Sequence, residues 1–183
     1  MATPEAVRSA LIEALEDEHK AIATYRGVID RFGAVRPFVN LIASEQRHAE
    51  ALERLCAHYD VTPPRPAPRV APPASVLEAC RAGVEAEIEN AALYDRLIAQ
   101  TAGHPDVQRV FRRLQSASRE RHLVAFRRCV ERESSRGLTA PEPDRPAPGR
   151  RGDGPGRGGR GHGRGGGRGP GPGRGRERPD SGC

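Results

Sequence analysis

The strongest constraint on the fold is a pattern of apolar residues that occurs in two similar halves of the chain. Apolar residues recur at every third or fourth position in four segments: residues 5–32, 37–56, 76–101 and 105–136. This spacing is typical of helices that bury one face. Short loops separate the first segment from the second and the third from the fourth. Each pair is therefore predicted to form an antiparallel helix hairpin.

The two predicted hairpins also match in detail. Glu18 precedes Tyr25 by seven residues, and Glu87 precedes Tyr94 by the same number. The stretch from Leu41 to Cys56 equals the stretch from Leu114 to Cys129 in length and in its end residues. Such self-similarity indicates an internal duplication.

A proline-rich connector, residues 57–74, joins the hairpins. Proline-rich segments are extended at roughly 3.1 Å per residue, so this one reaches roughly 55 Å. A 23-residue helix is only about 35 Å long. The connector can therefore cross the whole length of a bundle. We predict an all-α fold, a four-helix bundle made of two duplicated hairpins joined by a long crossover.

The chain changes character near residue 141. Of its 21 glycines, 16 lie from Gly149 onward, in Arg-Gly repeats with almost no apolar side chains. Such a segment cannot form a core. The predicted organisation is a bundle domain at residues 1–140 and a disordered Pro/Gly/Arg-rich tail at 141–183. The tail is interpreted either as a solubilising extension or as a weak binder of nucleic acid or another anionic partner.

Glutamate and histidine side chains interrupt the apolar faces at five positions: Glu18, Glu45, His48, Glu87 and His122. Burying an unpaired carboxylate costs several kcal/mol, and neighbouring carboxylates repel one another. A pair of divalent metal ions would resolve both problems. Glutamate oxygens with imidazole nitrogens suit iron or manganese, and zinc is an alternative. In ferritin-like proteins, two helices supply single glutamates and two supply Glu-x-x-His.

The predicted ligand set is incomplete in the fourth helix. Glu45 and His48 form one Glu-x-x-His, but Arg119 stands three residues before His122, and Ser118 takes the place of the expected glutamate. Glu120 is included among the candidate ligands on one condition, that a π-bulge makes this helix irregular. Tyr25 and Tyr94 are interpreted either as core aromatics or as residues beside the metal ligands.

Four stretches together resemble the rubrerythrin type of the ferritin-like superfamily, and in particular a branch of small prokaryotic proteins of unknown function. They are residues 15–25, 36–48, 83–94 and 118–126. The resemblance implies a diiron-carboxylate bundle, two bound iron ions and redox chemistry on ferrous iron, oxygen or peroxide. It makes the chain a candidate oxidoreductase of ferroxidase or peroxidase type. It also implies dimerisation through the bundle.

Two further expectations concern electron supply and location. None of the four cysteines forms a Cys-x-x-Cys pair, so a redox-active protein would need an external electron donor. Cys56 and Cys129 are interpreted as small core residues, and reduced thiols in a cytoplasmic protein are expected. The sequence has no apolar run of membrane-spanning length and no secretory signal at its start. The alternative function is a non-catalytic helical module whose tail binds an anionic partner.

Overall fold

The computed structural model describes residues 3–138, and all regular structure in that range is helical. The elements are α1 (Glu5–Phe32), α2 (Phe38–His58), α3 (Val76–Gln100), α4 (Pro105–Ala117), a π-helical turn (Ser118–His122) and α5 (Leu123–Leu138). The predicted tail at residues 141–183 lies outside the described range. Its disorder and its binding to anions therefore stay predictions.

The last three elements form one continuous helical rod. Both ends of the π-helical turn keep right-handed helical backbone angles, at Ala117 and at Leu123. The rod made of α4, the turn and α5 packs along α3, while α1 packs along α2 and against α3. The predicted four-helix bundle of two hairpins is confirmed.

The helix boundaries follow from local chemistry. Gly33 ends α1 with φ at +78°, a left-handed conformation that glycine adopts without steric cost. At the start of α3, the hydroxyl of Ser75 accepts a hydrogen bond of 3.1 Å from the backbone N–H of Glu78. The Glu78 carboxylate in turn accepts one of 3.0 Å from the backbone N–H of Ala74. These bonds satisfy donors that would otherwise be unpaired.

The connector between the hairpins crosses the bundle lengthwise, as its length predicts. At its start, Tyr59 donates a hydrogen bond to Asp106, in the first turn of α4. Near its end, Arg69 forms an ion pair of 2.8 Å with Asp30, close to the last turn of α1. The crossover explains why the second hairpin enters the bundle from the other end.

Two apolar clusters fill the interior. The first contains Leu11, Leu15, Leu52, Leu97 and Phe111. The second lies on the opposite side of Glu18 and Glu87 from the first. It contains Tyr25, Val28, Phe38, Cys80 and Phe126, among others. The predicted polar residues lie between these clusters and hence in the middle of the bundle.

The expectation of reduced thiols is wrong for two of the four cysteines. Cys80 of α3 and Cys129 of α5 form a disulfide, with their Cα atoms 5.9 Å apart. That separation is typical of disulfides. Cys129 is therefore part of a cross-link between two helices rather than a simple packing residue, whereas Cys56 is a free, buried cysteine as interpreted. Periodicity places each cysteine on an inner face but does not give the register between helices.

Among residues 3–138, no helix is both long enough and apolar enough to cross a membrane. This agrees with the absence of a long apolar run in the sequence.

Gly83 sets the close approach of α3 to α5. A Cβ atom at this position would lie 2.5 Å from the ring of Phe126, which is fully buried. We expect Gly83→Ala to lower the free energy of unfolding by about 1–3 kcal/mol, because the buried ring would have to shift away from the added methyl group. Chemical denaturation measures this change.

Ala82→Ser at the exposed neighbouring position is the matched control and should change stability by less than about 0.5 kcal/mol. Without a clash, Gly83→Ala should raise stability by roughly 1 kcal/mol, because alanine favours a helix over glycine. A Gly83→Ala protein that is more stable than the wild type would therefore contradict this packing.

Candidate metal centre

The structure brings together all five polar residues that interrupt the apolar faces. Glu18 comes from α1, Glu87 from α3, and Glu45 with His48 from α2, while His122 ends the π-helical turn. The three glutamates and His122 are 2–4 % exposed. The His48 side chain is 12 % exposed. Four helical rods therefore aim three carboxylates and two imidazoles at one dry interior.

Glu45 lies at the middle of this group and faces both histidines. Its Oε2 lies 2.8 Å from Nδ1 of His48, and its Oε1 lies 3.0 Å from Nδ1 of His122. Glu18 completes the first side, with Oε2 at 3.4 Å from Nδ1 of His48. Glu87 completes the second, with Oε1 at 3.6 Å from Nδ1 of His122. The result is two three-residue half-sites that share Glu45, one oxygen to each.

The two tyrosines tie the hairpins together across the site. Tyr25 of α1 donates a hydrogen bond of 3.0 Å to Glu87 of α3, and Tyr94 of α3 donates one of 2.7 Å to Glu18 of α1. Burial and the neighbouring carboxylates raise the pKa of both hydroxyls well above the usual value, so both remain donors. Both interpretations that the sequence left open stay open, because the tyrosines belong to the apolar clusters and their hydroxyls also contact the carboxylates.

A serine on α2 supports both imidazoles from behind. The hydroxyl oxygen of Ser44 lies 3.4 Å from Nε2 of His48 and 3.2 Å from Nε2 of His122, and the rings stack with centroids 5.5 Å apart. A protonated Nε2 that donates to this oxygen leaves Nδ1 to face the carboxylates. The sequence interpretation missed Ser44, although its position four residues before His48 places it on the same helix face.

The π-helical turn adds one residue to the helical repeat. The backbone N–H of Leu123 bonds to the carbonyl of Ser118, five residues earlier. With this extra residue, Ser118 and His122 take the places in the second hairpin that Glu45 and His48 hold in the first. The irregular helix on which the inclusion of Glu120 depended is therefore present.

The turn does not bring Glu120 into the site. Its side chain is exposed, whereas Ser118 and His122, on either side of it, are buried. The inclusion of Glu120 among the candidate ligands is therefore corrected. The irregular turn serves to align His122 with the carboxylates, and the intervening residues face outward.

A short hydrogen-bonded series leads from the site toward the surface. Ser118 donates a bond of 2.6 Å to Asn90, and Asn90 donates one of 2.6 Å to Asp17. Burial raises the pKa of Asp17, and the bond from Asn90 opposes that rise. Asp17 is not among the candidate residues from the sequence, because it lies off the apolar stripe of α1. Asn90 has the helical spacing of the apolar stripe of α3, seven residues before Leu97, and this spacing was the available indication of polar contacts there.

The electrostatics of the group are those of tightly coupled acids and bases. Burial raises the pKa of Glu18 to about 7. Burial also acts to raise that of Glu45, but His122 and His48 outweigh it and lower the pKa to about 2. For both imidazoles, burial acts to lower the pKa, yet the surrounding carboxylates raise it to about 9. Protons therefore compete with any cation for the two Nδ1 atoms.

The residues present fit a metal ion. The Nδ1 atom of His122 is buried and has no acceptor along its N–H direction, although Glu45 Oε1 lies only 3.0 Å away. Ligand atoms placed about 2.1 Å from one ion are separated by about 3.0–3.5 Å. The imidazole-to-carboxylate separations of 2.8–3.6 Å lie close to that range. Ligand atoms of Glu45, His48 and His122 lie within 4.8 Å of one another. The group has the composition and spacing of a metal-binding site.

Comparison with known proteins places this geometry in a structural class. No family model and no curated protein matches the sequence. Among solved structures, the hypothetical protein MJ0754 from Methanococcus jannaschii is 24 % identical with a TM-score of 0.63, over 69 % of this chain and 81 % of that one. Mycobacterium tuberculosis bacterioferritin BfrA is 20 % identical with a TM-score of 0.62, over 75 % and 91 %. The chain has a ferritin-like fold.

The polar group can be compared with the arrangement described for ferritin-like metal proteins, in which two helices carry single glutamates and each of the other two carries a Glu-x-x-His. This chain has the two single glutamates, Glu18 and Glu87, and one Glu-x-x-His, and it departs from the arrangement at Ser118. The fold establishes where the polar residues lie, and their chemistry decides what they bind.

The raised pKa values of the imidazoles predict how stability of the chelator-treated protein varies with pH. A histidine pKa of about 9 in the folded chain contributes stability that is complete below about pH 6.5. That contribution is lost as the pH rises through 9, and the raised pKa of Glu18 acts in the same direction. We expect the melting temperature to fall by several degrees between about pH 6.5 and 9.

Thermal denaturation in a metal chelator across this range measures the effect. His58→Asn, at an exposed histidine, should keep the slope, and His122→Asn should flatten it. A saturating divalent ion should also remove the fall, because a metal ion requires unprotonated imidazoles. A melting temperature that stays constant from pH 6.5 to 9 in chelator would contradict the described charge pattern.

Proposed function

We propose that this ferritin-like bundle binds two divalent metal ions in half-sites that share Glu45. Glu18, His48 and one Glu45 oxygen would hold the first ion. Glu87, His122 and the other Glu45 oxygen would hold the second. The observation that carries the proposal is the division of the Glu45 carboxylate, with Oε2 at 2.8 Å from one Nδ1 and Oε1 at 3.0 Å from the other.

Iron is the metal that we propose for both positions. Carboxylate and imidazole ligands together suit iron and manganese, and zinc is accommodated by the same atoms. Iron bound there would supply one-electron redox chemistry toward oxygen or peroxide, or ferrous iron itself would be the substrate. The proposed class is thus a diiron-carboxylate redox protein of ferroxidase or peroxidase type.

The residues of the chain would perform four tasks in such a protein. Glu45 fixes the spacing of the two half-sites, because both of its oxygens are committed. Ser44 orients both imidazoles through their Nε2 atoms. Tyr25 and Tyr94 hold the outer carboxylates and cap them with hydrogen-bond donors. The apolar clusters on both sides lower the local dielectric constant, which strengthens the charge interactions between them.

An external electron donor belongs to the proposal if the protein turns over. Among residues 3–138, two cysteines are joined in a disulfide and Cys56 is buried alone, so no cysteine cluster is present to hold a second iron centre.

Dimerisation is a further part of the proposal.

Metal analysis of the full chain is the first test. After anaerobic loading with ferrous iron and removal of the excess, we expect about two ions per chain, as in ferritin-like carboxylate sites. Glu45→Gln keeps the size of the side chain but removes the shared charge. It should reduce retained iron to well below half, because both half-sites lose a ligand.

Glu50→Gln is the matched control, an exposed glutamate on the same helix that should retain wild-type stoichiometry. Retention of iron by Glu45→Gln at the wild-type level would overturn the shared site. Iron content near zero in the wild type after loading would overturn metal binding itself.

The redox part of the proposal requires its own measurement. Ferrous iron mixed with the full chain and oxygen should be oxidised faster than in buffer, and Glu45→Gln should remove the acceleration while Glu50→Gln keeps it. Stoichiometric binding with no acceleration by oxygen or by peroxide would restrict the protein to metal binding.

A further inference from the structure

A cavity opens from the surface between α1 and α3 and ends at the proposed metal centre. Its volume is about 270 Å³. Its inner end is formed by Ser118 with Glu18, Glu45 and Glu87. The cavity thus reaches the one position where the second hairpin lacks the carboxylate that the first hairpin supplies.

Ser118 leaves that position open. Its side chain is much shorter than a glutamate, and its hydroxyl is held by the bond of 2.6 Å to Asn90. Asn90 is held in turn by Asp17. The serine hydroxyl is therefore directed toward Asn90 on α3. The space next to the shared carboxylate of Glu45 is part of the cavity.

Part of the cavity wall is apolar and is formed by Ala79, Ala82, Gly83, Val28 and Phe38. Such walls favour the hydrocarbon part of a small ligand, since burial of apolar surface is favourable. Lys20 lies at the border of the cavity and is exposed, so one positive charge is available outside the apolar walls.

Charge decides the kind of head group. The cavity is lined by several acids, Asp17, Glu18, Glu45, Glu85, Glu87 and Glu89. Without metal ions these would repel any anion. Two divalent ions held by the three inner carboxylates and two neutral imidazoles leave a net charge of +1 at the inner end of the cavity, which favours one more anion at the open position. Glu85 and Glu89 are exposed, so solvent screens their charges from that position.

We propose that the cavity binds a small aliphatic monocarboxylic acid whose carboxylate occupies the place of the missing glutamate beside Ser118. The hydrocarbon part lies against the alanine and glycine wall. This inference rests on the proposed metal-binding function, because the ligand binds only when the metal ions are present. Among simple carboxylates, butanoate should bind more tightly than acetate, by up to about fourfold for each methylene buried.

The test uses the full chain loaded with cobalt(II), whose visible absorption reports changes in coordination. Titration with butanoate should change the spectrum in a saturable manner, and isothermal titration calorimetry should give the same affinity. Butan-1-ol has a similar hydrocarbon part without the carboxylate and should leave the spectrum unchanged. Butanoate should give no calorimetric signal with the metal-free chain.

Two variants locate the binding. Ser118→Glu supplies the missing carboxylate from the chain itself and should weaken butanoate binding by at least about tenfold while cobalt is retained. Ala86→Leu narrows the cavity from an exposed position on α3, outside the ligand set, and should also weaken butanoate binding. Glu50→Gln on α2 should bind cobalt and butanoate as the wild type does.

The failures of the two proposals are distinguishable. A wild-type chain that binds cobalt but shows no response to butanoate overturns the carboxylate site and leaves metal binding intact. An unchanged response in both Ser118→Glu and Ala86→Leu also overturns it, because the ligand would then bind elsewhere. A chain that takes up no cobalt overturns the metal centre and with it this inference.

Discussion

The structure depends on how three carboxylates are kept together in the interior of a helical bundle. Glu18, Glu45 and Glu87 are each only 3–4 % exposed, and burial of that kind is unfavourable unless each charge is neutralised. Three groups of surrounding side chains make this burial possible. The imidazoles face Glu45, the tyrosines donate to the outer glutamates, and the apolar clusters hold the helices at fixed separation. The interactions that offset the unfavourable burial of the three carboxylates also arrange the oxygens and nitrogens of this group as two half-sites.

The asymmetry between the hairpins gives this ferritin-like bundle its individual character. The first hairpin carries a complete Glu-x-x-His, whereas the second has Ser118 and an extra residue before His122. The π-helical turn absorbs the extra residue and keeps His122 opposite His48. What the turn cannot replace is the carboxylate, and its absence leaves the inner end of the α1–α3 cavity bordered by Ser118. The absent carboxylate and the space beside Glu45 thus both follow from the serine at this position.

Much of the architecture could be predicted from the sequence because it depends on periodicity. The spacing of Leu11, Leu15 and Glu18 fixes which face of α1 is buried, and the length of the connector fixes the crossover. Features that depend on the register between helices could not be predicted in this way. The disulfide between Cys80 and Cys129 and the bond between Asn90 and Asp17 are of this kind. Glu120 shows a second limit, because an irregular turn can be anticipated without knowing which residue it turns inward.

The most direct test is a crystal structure of the iron-loaded full chain, with anomalous scattering recorded at the iron absorption edge. The account predicts two anomalous peaks separated by about 3.5–4 Å, as in other two-metal sites. One peak should lie next to Glu18, His48 and Glu45, and the other next to Glu87, His122 and Glu45. A loaded crystal in which the five side chains keep their positions but no anomalous peak lies among them would contradict the account.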